Sequence, residues 1–269
     1  MKRLVVYTVL VLGAVVFAYP FLWMIAGSLK PELEITTLGL LSEEFSARSY
    51  EHVLTKIPIA RAFLNSVIVS AATTSSVVLF GSLVGYALAK LRFVGSKALY
   101  LLILFTMMIP FQIVLIPQYI LMVKLGWTDT YMGLVAPAMM TAFSIVLFRQ
   151  FFMGVPQALI DAARIDGCSE FGIVYRIIWP LSKPVIVTVG LLTFMTNWNE
   201  VLWPLMVVRE RTLMTMPQIV TLFTIGGAAE SQLGPLLAAA TLLSLPVVVA
   251  YVFFQRYFIE SMASTGIKG

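Results

Sequence analysis

Residues able to do chemistry are few in this chain of 269, and they are concentrated. It has one histidine, His52, and one cysteine, Cys168, far apart in the sequence. Neither belongs to a cluster with metal-ligand spacing, so no metal site is expected, and one cysteine allows no internal disulfide. No H-E-x-x-H, G-x-S-x-G or G-x-x-x-x-G-K-[ST] pattern occurs. Zinc hydrolysis, serine acyl transfer and phosphate-cradling NTPase chemistry therefore have no residues to carry them. What remains is polar residues of two kinds. Asp161, Arg164, Asp166, Glu170, Arg176 and Lys183 crowd the stretch DAARIDGCSEFGIVYRIIWPLSKP in a chain that is only 12% charged. Gln112, Gln118, Asn197, Asn199 and Glu200 instead interrupt long apolar runs. A carboxylate hydrolase would need a second acid near Glu200, and the apolar runs hold none. Binding and mechanical roles are left.

The elements that must position these groups follow from composition. With 60% hydrophobic residues and a mean hydropathy of +0.95, the chain cannot cover a soluble core with polar surface. Runs without charge extend over Leu4–Leu29, Ala62–Ala89, Ala98–Val123, Thr130–Phe148 and Ser231–Gln255, and over Pro184–Val208 apart from Glu200. Each approaches or exceeds the roughly 20 residues a bilayer demands, and helices satisfy their own backbone groups there. The reading is an all-α membrane protein of six spans. The first run starts with basic residues like a secretory signal, but it is too long and has bulky Phe21, Leu22 and Trp23 where a cleavage site would need small residues. It is expected to stay as a span. The turn LRFVGSK and the loop after the fourth span are basic, which places both termini in the cytoplasm. No Lys/Arg block with interleaved aromatics occurs, so nucleic acid is not an expected partner.

The charged stretch then falls in a cytoplasmic loop, 154–184, far longer than ordinary connections between bundle helices. Pro156 to Asp166 reads as a short helix opened by proline, with Gly167 as its left-handed terminator. Ser169 can cap a second helix through Phe171, Val174, Tyr175 and Ile178, which Pro180 should close. The product is a helix–turn–helix elbow whose first arm carries small residues. Two readings fit: an amphipathic pair resting on lipid headgroups, or a docking surface for another protein.

The order of residues resembles a known family. Asp161-Ala162-Ala163, Gly167, then Ile178-Trp179-Pro180-Leu181 is similar to the EAA loop of permease subunits in binding-protein-dependent ABC importers, with Asp161 where glutamate is usual. YPFLWMIAGSLKP, TFMTNWNEVLWPL and the closing FFQRYFIESMASTGIKG resemble carbohydrate permeases of the maltose type. The resemblance implies a type I ABC importer transmembrane domain. It implies a second homologous permease subunit, two ATP-binding subunits that hold ATP and magnesium, and an extracytoplasmic solute-binding protein. This chain would hold no cofactor and would itself be no enzyme. Asp161, Ala162, Ala163, Arg164, Asp166 and Gly167 would couple to the ATPase. Gln112, Asn197, Asn199 and Glu200 would line the sugar path, with Trp198 and Trp203 near by. Glycerol-3-phosphate permeases resemble the same group and give the alternative, import of glycerol-3-phosphate or a related phosphodiester, which would favour basic groups along the path.

The expected organisation is a first span and outer segment over 1–61, a five-helix core over 62–256, and a cytoplasmic tail over 257–269. Gly81, Gly85 and Ala89 form a small-residue ridge for close helix packing. The apolar segment TMPQIVTLFTIGG is too short to span and is expected along the membrane interface.

Overall fold

The computed structural model describes residues 2–36, 39–42, 44–225 and 232–266, and among them every regular element is helical. In chain order, α1 is Lys2–Ser28, α2 Glu32–Ile35, α3 Arg48–Lys56 and α4 Ile59–Lys90. Helices α5 (Ser96–Thr106), α6 (Phe111–Leu125), α7 (Tyr131–Val135) and α8 (Ala142–Met153) follow. The loop after α8 contains α9 (Gln157–Ile165), α10 (Glu170–Ile173) and α11 (Trp179–Leu181). The chain continues with α12 (Lys183–Trp198), α13 (Leu202–Val207), α14 (Met216–Ile225) and α15 (Leu233–Gly266).

Three helices are long and apolar enough to cross a membrane alone: Arg3–Ser28, Ile59–Lys90 and Leu233–Phe253. The other expected spans are bent or broken. Helices α5 and α6 meet at 99°. There Met107, Met108 and Ile109 close the last turn with i−3 bonds, and Pro110 leaves it in an extended conformation without an N–H to give. The segment Tyr131–Ala138 meets α8 at 45°, across a start capped by Thr141 Oγ1 on Ser144 N at 3.2 Å. The run Pro184–Val208 is not one helix, because α12 stops at Trp198 and α13 begins at Leu202. The helix expected to end near Gln255 continues to Gly266, so most of the anticipated tail is helical; residues 267–269 lie outside the described residues.

The chain divides into two units, Met1–Phe63 with Thr215–Val248, and Leu64–Met214 with Val249–Gly269. In the first unit Ile35 and Val53 are fully buried. The Glu32 carboxylate accepts from Leu233 N at 2.6 Å and Gly234 N at 3.1 Å, placing a negative charge on the first N–H groups of α15. Helix α14, expected along the interface, is packed into this unit through Met216, Pro217, Gln218, Ile219, Val220 and Phe223.

In the second unit the glycine ridge works as a contact surface. A Cβ on Gly85 would stand 2.6 Å from Phe148 Cβ and 3.0 Å from Arg149 N, and one on Gly81 would stand 2.6 Å from Ser144 Oγ. Helices α4 and α8 therefore touch backbone to side chain along this seam. Around it one continuous core joins Val77, Val78 and Tyr86 of α4, Phe148 and Phe152 of α8, and Val185 and Val189 of α12. Ile160, Ala163, Ile173, Val174 and Ile178 from the loop belong to that same core.

Candidate functional site

The loop forms the expected elbow, with changed details. Pro156 precedes α9, and the helix ends in paired bonds from Gly167 N to Arg164 O (3.0 Å) and from Cys168 N to Ala163 O (2.9 Å). This is a Schellman closure, and Gly167 takes the left-handed φ of +79° it requires. Ser169 Oγ then accepts from Gly172 N at 3.2 Å and caps the second limb, as its position predicts. Pro180 does not close that limb. A π turn over Val174–Ile178, in which Trp179 N donates to Val174 O, opens the spiral ahead of the proline and carries the helix to Leu181. At Ser182 the chain bends by 88° into α12.

Because a Cβ at Gly167 meets nothing within 4 Å, substitution there is strained by the backbone alone. Gly167→Val is expected to cost about 1–2 kcal/mol locally and to raise amide hydrogen exchange at Gly167 and Cys168. Gly167→Asn should be milder, because asparagine tolerates this conformation. Equal exchange in wild type and Gly167→Val would contradict the strain argument.

The two faces of α9 differ sharply. Ile160 is fully buried and Ala163 is 5% exposed, whereas Ile165 is 86% exposed and Ala162, Leu159 and Asp166 also face outward. The alanine pair is thus split, and it does not form one small-residue surface. Asp161 is tied within the arm, accepting from Arg164 Nη1 at 3.2 Å and Gln157 Nε2 at 3.1 Å. Arg164 Nε donates to Glu170 Oε1 at 2.8 Å, bridging the two limbs. The Arg164 hydrogen bond, then that from Tyr86, holds the Glu170 carboxyl below the usual carboxylate range, and Glu170 in turn holds the Arg164 guanidinium above its ordinary value. The elbow is internally braced, and its inner face sits in the protein core instead of on lipid.

The second group of polar residues serves the break after α12. Asn197 Nδ2 donates to Thr193 O at 2.9 Å and Asn199 Nδ2 to Met195 O at 2.8 Å, each on its own helix. Glu200 Oε1 accepts from Trp203 N at 3.1 Å, satisfying an orphan donor of α13. Trp198 is fully buried and stacks on Phe194 with ring centroids 5.7 Å apart, and Trp203 Nε1 donates to Gly133 O at 2.9 Å. Gln112 is exposed on the first turn of α6. Sequence reasoning missed Asn65, whose fully buried amide donates to Thr212 O and Met214 O and accepts from Tyr131 OH at 2.7 Å. It also missed Asp129, whose carboxylate accepts from Arg209 N and Glu210 N.

The family model for the inner membrane component of binding-protein-dependent transport systems matches residues 77–264, which contain the elbow, the seam and the broken span. The chain belongs to this family. The arabinooligosaccharides transport system permease protein AraQ of Halalkalibacterium halodurans is 36% identical over 95% of this chain and 93% of that protein. The sn-glycerol-3-phosphate transport system permease protein UgpE of Brucella abortus is 27% identical over 98% of this chain and 97% of its own. A crystal structure of a bacterial ABC transporter involved in import of the acidic polysaccharide alginate matches with a TM-score of 0.81, at 24% identity and 96% coverage of both chains. It shares the fold. This permease is accordingly a multi-pass membrane component of a binding-protein-dependent transport system, a transport subunit.

Proposed function

We propose that this permease forms part of the translocation path of an ATP-driven, binding-protein-dependent carbohydrate importer, and that its elbow docks on a separate ATP-hydrolysing subunit. The bent pairs α5–α6 and Tyr131–Ala138 with α8 then count as one span each, and α12 with α13 as another, giving six with both termini cytoplasmic, and two ATP-binding subunits holding ATP and magnesium work on two permease subunits. The observation that carries the docking reading is the two-faced elbow. Its inner side is built into the core, while Ile165 at 86% and Phe171 at 65% exposure present apolar surface outward beside Ala162. Exposed apolar groups held on a rigid frame fit a protein partner, because a docking element must be stiff to pass on motion.

A carbohydrate cargo is favoured over glycerol-3-phosphate by the higher identity to AraQ than to UgpE. The uncharged runs also contain no Lys or Arg to meet a phosphate. Asn197, Asn199, Glu200 and Gln112 stay proposed as path residues, with the first three acting through the break they stabilise.

Docking is tested by cross-linking. Ile165→Cys in a Cys168→Ser background, in the assembled transporter, is expected to capture an ATP-binding subunit. Capture of lipid alone, or of nothing, in every nucleotide state would overturn the docking reading.

A further inference from the structure

Outside the elbow's own bonds, three polar side chains on α4 remain without a role in the docking reading. Ser82, Tyr86 and Lys90 are spaced by four and so share one face of the helix. Each reaches a different part of the loop. Lys90 Nζ donates to Val155 O at 2.6 Å, where the loop begins. Tyr86 OH donates to Glu170 Oε2 at 2.5 Å, at its middle. Trp179 Nε1 donates to Ser82 Oγ at 3.1 Å, where it ends. Glu170 also holds Arg164, so the Tyr86 bond reaches α9 through a single carboxylate.

We infer that these three rungs make the cytoplasmic loop and the last turns of α4 move as one body, with Ser82, Tyr86 and Lys90 as positioning residues. Force received at the elbow then enters the membrane along α4. The inference rests on the docking reading for its purpose, while the rigid-body claim can be tested without it. Apolar packing already holds the loop close, and hydrogen bonds add direction to that hold. Three directional bonds fix its place along the helix axis. Burying Ser82 completely and Tyr86 to 2% exposure would be costly without such partners. On the neighbouring face of α4 the Gly81–Gly85 seam holds α8, which leads straight into the loop, so both attachments of the loop converge on this helix.

The experiment uses the complete transporter in lipid vesicles, with spin labels at Phe80→Cys on α4 and Ile165→Cys on the elbow, in a Cys168→Ser background. The label separation is measured without nucleotide and with MgATP. It is expected to stay the same in both conditions. In Tyr86→Phe combined with Lys90→Met it should shift on adding MgATP, and Lys90→Arg, which retains a donor, should keep it fixed. A purely structural role would lower the amount of assembled complex in the double variant without making the separation nucleotide-dependent. A wild-type separation that changes with MgATP, or a double variant that stays fixed, would overturn the inference. Failure of Ile165→Cys to capture an ATP-binding subunit would sink the docking reading separately, leaving the rigid-body result to stand or fall on the label distances.

Discussion

In an Ala162→Arg permease we expect normal insertion and normal amounts of folded protein, with solute uptake reduced roughly thirtyfold or more, corresponding to about 2 kcal/mol of lost docking. Ala162 faces outward on α9, so a long side chain there meets no neighbour within the chain. In the docking reading it would stand in the groove that receives the elbow. The adjacent Ala163→Arg should fail differently. Ala163 is 5% exposed within the core formed with Ile160 and Phe148, and a charge placed there unfolds the elbow. Measuring membrane-extracted protein by size-exclusion chromatography beside uptake separates the two. Full uptake in Ala162→Arg would remove the outer face of α9 from the mechanism.

The other large effect is expected at the seam between α4 and α8. Gly85→Val places a branched side chain where a Cβ alone would approach Phe148 Cβ to 2.6 Å and Arg149 N to 3.0 Å. Neither atom belongs to the far end of a flexible side chain, so the helices themselves must part. Overpacking of this kind costs about 1–3 kcal/mol, and contact with backbone puts the change at the upper end. Thermal inactivation of the purified permease should move to lower temperature, and less of it should reach the membrane. Gly13→Val is the control, because nothing lies within 4 Å of a Cβ there. Equal stability of the two variants would show that the seam can open without loss.

Local chemistry was legible in the sequence where a short stretch decides the outcome. The turn at Gly167 and the cap at Ser169 needed only residue type and spacing, and the long uncharged runs marked the helices that cross the membrane. Direction was not legible. An apolar run has the same composition whether straight or folded back, and the 99° bend at Pro110 depends on what packs on either side. By sequence Pro180 reads as a stop, because an α-helical turn has no room for its ring; the wider π turn before it supplies that room. The Asp161-Ala162-Ala163 triplet could be matched to a pattern, but spacing alone did not say which alanine would face the core. Tyr86 and Lys90 carry no local signal, because their partners lie 84 and 65 residues away in sequence. The polar group from Asn197 to Glu200 was legible as unusual at membrane depth. Only the fold shows its side chains spent on the backbone of the broken span.

The right-angled bend at Ser182 makes the second limb of the elbow and α12 into a bell crank. If the elbow docks as proposed, a push across the arm Glu170–Leu181, directed along the axis of α12, tilts α12 about its root at Ser182. The driven arm is shorter than the sixteen residues of α12, so the far tip near Trp198 sweeps farther than the point that is pushed. In that reading a small stroke at the elbow becomes a wider displacement at the far end of α12.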